Sequence, residues 1–251
     1  MLEGAGITVT TGILEEQARY ANAGFFSRIE RDRPFVTLKL ASSFDGRIAT
    51  GTGESKWITS SQSRRLVHAL RARHDGVMVG GGTARKDDPS LIVRDLGTAW
   101  QPSRIVVSRR LDLPLMSQLA RTALDVPVII CHGHDADSTL ERTWSDLGAN
   151  LLPCKAIGTQ LDPTDILRQL AGFGLTRVFC EGGSALAASL LEAGLVDELV
   201  GFTAGLAIGA EGLPSVGALG LSHLRDAPRF ERQRVEAVGP DTMTVWTPQP
   251  A

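Results

Sequence analysis

A chain of 251 residues with 43% hydrophobic and 22% charged residues is long enough for one large α/β domain or two small ones, and its composition is not that of a disordered protein. Its formal net charge of −2 leaves no basic surplus for a nucleic acid or a membrane surface. No apolar run reaches membrane-spanning length and no signal peptide is recognisable. The cysteines, Cys131, Cys154 and Cys180, are odd in number and close to the ends of apolar runs, so they read as buried reduced thiols and the expected compartment is the cytoplasm.

Residues 1–33 stand apart: a Gly-rich start, a helical pattern from about Leu14 to Arg28, then a charged turn before Pro34. Phe35–Ala41 alternates as a strand does. Ser60 or Ser61 is placed to cap a helix over roughly residues 62–73, with Leu66, Val67 and Leu70 on one face. Further strands are expected at 76–80, 103–108, 126–131, 149–153, 176–180, 197–203, 230–238 and 242–247. Helical patterns at about 138–147, 163–172 and 184–193 interleave with them, which implies crossovers and a mostly parallel sheet covered on both faces. The last two strands meet across Gly239-Pro240-Asp241, predicting an antiparallel hairpin at a sheet edge, and Gly201–Gly220 reads as a long surface loop.

Several stretches concentrate chemistry. After the strand Val77–Val79, three glycines (Gly80–Gly82) let a ligand approach the backbone, and Thr83, Asp87, Asp88 and Arg94 follow. At 177–184 a strand runs into Glu181-Gly182-Gly183 and a helix, which reads either as a tight turn or as an anion site at a helix N-terminus. Lys39 within the first strand is either a solvated or edge-strand lysine or a charge at the ligand-facing end of the sheet. Trp57 before the capped helix is either a core residue or a shelf for a flat ring. Ser108-Arg109-Arg110 ends a strand with guanidinium groups suited to a 2′-phosphate, or is a solvated basic loop. Cys131-His132-Gly133-His134-Asp135 fits no standard zinc spacing, and a turn explains Asp87-Asp88 as well as Mg²⁺ does, so no metal is expected. A G-x-S-x-G nucleophile motif is absent.

Taken together, Lys39–Arg47, Ser55–Ser60, Arg71–Gly76, Gly80–Arg94 and Glu181–Gly183 closely resemble the reductase domain of the bifunctional riboflavin-biosynthesis deaminase/reductase family, over about residues 34–247. The resemblance implies a dihydrofolate-reductase-like αβα fold, NADPH as cofactor and a homodimer. It implies cofactor contacts from Ala41, Trp57, Thr83, Asp87, Ser108, Arg109 and the run Gly182, Gly183, Ser184, Ala185, Leu186, Ala187, Ala188 and Ser189. It implies substrate contacts from Ser55, Arg71, Leu91, Arg94 and Glu181. In chemical terms Arg71 and Arg94 suit a sugar phosphate, Leu91 suits a pyrimidine face and Glu181 suits its N–H groups. Lys39 matches a lysine near the reacting carbon, so Lys39 and Glu181 are the expected catalytic pair.

Residues 1–26 resemble the tail of that family's deaminase domain, but the H-x-E and P-C-x-x-C motifs of the zinc deaminases are absent. The expected reaction is therefore reduction of 5-amino-6-(5-phosphoribosylamino)uracil to its ribitylamino counterpart by residues 34–251. A reductase of another pyrimidine or a pteridine, and a non-catalytic nucleotide-binding module, are the alternatives.

Overall fold

The computed structural model describes residues 2–249. From the N-terminus come α1 (Glu15–Ala21), α2 (Ala23–Arg31), β1 (Phe35–Ser43), β2 (Arg47–Ala49), α3 (Ser61–Arg71), β3 (Gly76–Gly80), α4 (Gly81–Asp87), β4 (Ser103–Val107) and α5 (Gln118–Arg121). Then follow β5 (Val128–Gly133), α6 (Ser138–Asp146), β6 (Asn150–Cys154), β7 (Ala156–Ile157), β8 (Gln160–Leu161), α7 (Pro163–Phe173), β9 (Arg177–Cys180) and α8 (Ser184–Glu192). The chain closes with β10 (Glu198–Ala204), β11 (Leu213–Pro214), β12 (Phe230–Val238) and β13 (Asp241–Pro248).

Nine strands form one sheet in the order β12-β13-β10-β1-β9-β3-β4-β5-β6. The run from β10 to β6 is parallel, and β13 and β12 add antiparallel strands at one edge. This is the expected three-layer αβα architecture with a mixed, mostly parallel sheet and an antiparallel C-terminal hairpin. Apolar residues of alternating parity divide the core. Val36, Leu38, Met78, Ile105, Val178 and Cys180 pack under α7 and α8. Val77, Val79, Val106, Ile130 and Phe179 face Leu119, Trp144 and Leu70 on the other side.

Helix starts explain much of the local structure. Ser60 accepts from the Ser63 N–H, and Ser117, Asp137 and Asp162 cap α5, α6 and α7 in the same way. The pattern read from Leu14 to Arg28 splits at Asn22 into α1 and α2. α2 is tied to the body: Gly24 approaches the Thr176 carbonyl so closely that a Cβ would lie 2.8 Å from it, and Arg33 binds Asp197 with two nitrogens. The segment Gly201–Gly220 is less of a loop than expected. Its first four residues complete β10, Leu213–Pro214 pair with β2, and Val216 and Leu219 pack on the core. The three cysteines are buried and unpaired with one another.

Candidate functional site

The C-terminal ends of the parallel strands carry two adjoining sites, the position where open parallel sheets bind ligands. The first is a cleft of about 540 Å³ between the ends of β3 and β4 and the start of α8. Two helices open into it without a side-chain cap, α4 from Gly80 and α8 from Gly183. Their first N–H groups and positive dipole ends make this wall a receptor for anionic groups. Gly183 is required here: its φ is 46° and a Cβ would lie 2.9 Å from Thr83 Oγ1. Gly82 and Gly182 have open space where a Cβ would stand, which leaves the backbone accessible.

Of the residues assigned to the cofactor, Thr83, Asp87, Ser108, Arg109, Gly183, Ser184, Ala185, Leu186 and Ser189 line this cleft. Ser55, assigned to the substrate, lines it too. Gly182 stands just behind, its carbonyl accepting from the Gly80 N–H at 2.9 Å. Ala187 and Ala188 do not reach the cleft: Ala187 is in the core, and Ala188 is covered by the segment at Gly217. Ala41 sits on the Lys39 face of β1 against the Val200–Phe202–Met243 group. Trp57 is 68% exposed outside the cleft, with the Arg64 guanidinium 4.4 Å from its ring centre, and forms no core.

The cleft's charges were only partly legible. Arg110, read in the sequence as a 2′-phosphate candidate beside Arg109, lines it too, as do Arg85 and Lys86, which the sequence does not single out as contacts. Arg85 is held by Asp112, which also accepts from Ser108 Oγ at 3.0 Å. Arg109 is engaged by Asp135 at 2.7 Å and the Gly158 carbonyl at 3.3 Å. Among the described residues Lys86 and Arg110 form no ion pair. Asp88 points elsewhere, accepting from the Gln118 N–H at 2.7 Å.

The second site is an ionic cluster at the end of β1 and β9. β1 lies between β9 and β10, so Lys39 is neither on an edge nor solvated; its side chain is 15% exposed. Its Nζ lies 3.8 Å from Glu181 Oε2. Glu181 is placed by its own N–H, which continues the β9–β3 ladder to the Met78 carbonyl at 2.9 Å. Arg71, in the last turn of α3, grips the same carboxylate with Nε at 2.5 Å and Nη2 at 3.1 Å, and donates from Nη1 to the Ile92 carbonyl at 2.8 Å. Burial alone raises the Glu181 pKa, but the Arg71 and Lys39 charges outweigh it and hold it at about 2. Burial lowers the Lys39 pKa, opposed by Glu181 and reinforced by Arg71.

The sequence reading put Arg71 on a phosphate and Glu181 on a pyrimidine; the structure joins them to each other. Arg94 stands at the exposed rim, its N–H donating to His68 Nδ1 at 3.2 Å. Leu91 departs from expectation. The residue is 2% exposed and packed in the core, with φ at 53°. Among the described residues no three His, Cys, Asp or Glu side chains gather as metal ligands.

Residues 34–244 match the family described as the RibD C-terminal domain. The chain is 36% identical to the riboflavin biosynthesis protein RibD of Aquifex aeolicus (strain VF5) over 240 residues, 96% of this chain and 65% of that protein. It superposes on the RibD structure of Acinetobacter baumannii with a TM-score of 0.85 and 30% identity, covering 99% of this chain and 67% of the other. A Thermotoga maritima structure named as a diaminohydroxyphosphoribosylaminopyrimidine deaminase/5-amino-6-(5-phosphoribosylamino)uracil reductase gives a TM-score of 0.83 at 29% identity, covering 98% and 66%. The chain thus spans about two thirds of the length of these relatives.

Proposed function

The chain belongs to the RibD C-terminal domain family, and on that premise we propose that it reduces 5-amino-6-(5-phosphoribosylamino)uracil to 5-amino-6-(5-phosphoribitylamino)uracil with NADPH. The observation that carries this reading is the juxtaposition of two sites at one end of the sheet. A glycine-walled cleft with two uncapped helix starts suits a dinucleotide's phosphates, and a Lys39–Glu181–Arg71 cluster adjoins it.

Bound NADPH would supply a hydride to the former anomeric carbon once the aminoglycoside has opened to an imine, whose nitrogen gains a proton. The chain's own residues do the rest. The N–H groups that begin α4 and α8 take phosphate oxygens, and Thr83 and Ser189 add hydroxyls from the cleft wall. Arg110 makes no direct ion pair among the described residues and takes the 2′-phosphate, with Arg109 beside it braced by Asp135. On the substrate side, Arg94 takes the sugar phosphate. Glu181 keeps lone pairs beyond those given to Arg71 and accepts from the pyrimidine's N–H groups. Lys39 holds a proton at Nζ in a nearly enclosed position beside that carboxylate.

This reading places the activity in residues 34–251, with 1–33 as an extension. It also includes a homodimer: β12 leaves one edge unpaired along Phe230–Val238, and nearly every residue there is exposed. The test is turnover. NADPH should be consumed with the ribosylaminouracil phosphate, more slowly with NADH, and not with dihydrofolate. Consumption with dihydrofolate alone would favour a pteridine reductase, and binding of NADPH without consumption across such substrates would favour a non-catalytic module.

A further inference from the structure

The segment Leu91–Arg94 has no regular structure, yet four of its backbone polar groups are held by side chains. The Ile92 carbonyl accepts from Arg71 Nη1 at 2.8 Å. The Gln101 amide takes both the Val93 N–H at 2.7 Å and the Val93 carbonyl at 3.0 Å. The Arg94 N–H donates to His68 Nδ1 at 3.2 Å. The side chains of Leu91 and Val93 are buried beneath. An irregular segment held by side chains takes its position from them, because half-buried backbone groups need partners. Two of the three clamps, His68 and Arg71, are three residues apart on α3 and share a face of it.

We propose that His68 is a positioning residue for Arg94: its unprotonated Nδ1 accepts the Arg94 N–H and so fixes the backbone from which the guanidinium reaches the substrate's phosphate. The proposal rests on the reading that Arg94 binds that phosphate. His68 is chemically distinct from the other clamps, since an imidazole nitrogen accepts only while it carries no proton. The charged groups that face it are Arg71 on its own helix, Arg94 on the segment and Glu181 at the end of β9. Burial, then the two guanidinium groups, lower its pKa against the opposing pull of Glu181 and of a hydrogen bond to the Ile92 backbone, so the ring is neutral at neutral pH, and the Arg94 N–H directed at Nδ1 makes that nitrogen the acceptor. Acid puts a proton there, turns the acceptor into a second donor and adds a like charge beside Arg71 and Arg94.

The test compares His68→Leu and His68→Asn with the wild type from neutral to mildly acidic pH. In asparagine Oδ1 branches from Cγ as Nδ1 does, so it supplies an acceptor that does not titrate. His68→Leu should raise KM for the phosphorylated substrate roughly tenfold, the loss of about one net hydrogen bond, with kcat and the KM for NADPH changed less than about twofold. His68→Asn should restore most of that affinity and shrink the rise of KM in acid to the part due to the phosphate's own ionisation at a pKa of about 6. An unchanged KM in His68→Leu, a parallel loss of kcat and NADPH affinity, or an acid rise as large in His68→Asn as in the wild type would each overturn the proposal. A substrate-free measurement separates it from the functional reading. The Arg94 amide resonance should titrate with His68 in the wild type and stay fixed in His68→Asn. If the phosphate ester is not turned over, the functional reading falls and that resonance alone decides the role of His68.

Discussion

Replacing Glu181 by glutamine keeps an oxygen for Arg71 and removes the negative charge beside Lys39. The structure shows what that charge does. Burial and Arg71 both push the Lys39 pKa down, and the Glu181 carboxylate is the main influence that pushes it up. The two groups are 3.8 Å apart, with side chains 15% and 11% exposed. Unit charges at that separation attract by about 1 kcal/mol in water and about 4 kcal/mol at an effective dielectric near 20, which spans roughly 1 to 3 pH units. With both groups nearly enclosed, Glu181→Gln is expected to lower the Lys39 pKa further, because the one large influence that raises it is removed. The assay is the pH dependence of kcat for NADPH oxidation from neutral to alkaline pH. If a charged Lys39 serves the reaction, the alkaline limb of Glu181→Gln should lie below the wild-type limb by an amount within that Coulomb range. Lys39→Met should lose both the limb and most of the rate. A limb that coincides with the wild-type one, or a Lys39→Met protein with wild-type kcat, would refute the reasoning.

Arg94→Ala should raise KM for the phosphate ester roughly 10- to 100-fold, the worth of a hydrogen bond to a charged group, and should hardly affect the dephosphorylated analogue in the same steady-state assay. Gly183→Ala forces a side chain into a left-handed backbone at φ 46° and a Cβ to within 2.9 Å of Thr83 Oγ1. It should cost about 1–2 kcal/mol of stability and weaken NADPH binding roughly tenfold, read by thermal unfolding and fluorescence titration. His74, 4% exposed between the Leu70 carbonyl and Thr37, has a pKa pushed down by burial to about 4, against an ordinary 6.5. The unfolded chain therefore binds this proton first, and stability should fall as pH drops from 6.5 toward 4, by up to roughly 3 kcal/mol. Urea midpoints across that window should show the slope in the wild type and lose part of it in His74→Gln.

Strands were the most legible part of the fold, because apolar, β-branched runs such as Val77–Val79 and Ile105–Val107 have few alternatives once buried on both faces. The Ser60 cap and the turn at Gly239-Pro240 were legible for the same local reason. Helix α4 was not. Its opening glycines depress helix propensity, and what holds it is the burial of Gly81 and Ala84 against the sheet. The burial of Lys39 depends on β10 pairing with β1 across more than 150 residues, which no local pattern reports.

Within the site, residue types were legible and partnerships were not. Arg71 and Glu181 were both marked for substrate, yet 110 residues separate them in sequence and the fold makes them each other's principal partner. Arg109 and Arg110 are equivalent as text; Asp135, just past β5, hydrogen-bonds the first and feels the second only through its charge. One signal was present in the sequence. His68 lies one helical turn before Arg71, a spacing that puts both on one face.

The most direct measurement is the fate of hydride from NADPH with deuterium at both C4 positions of the nicotinamide. The purified chain, incubated with that cofactor and 5-amino-6-(5-phosphoribosylamino)uracil, should yield the ribitylamino product with one deuterium on the former anomeric carbon. A product labelled elsewhere, an unlabelled product, or no ribitylamino product at all would contradict a reductase built around Lys39, Glu181 and the glycine-walled cleft.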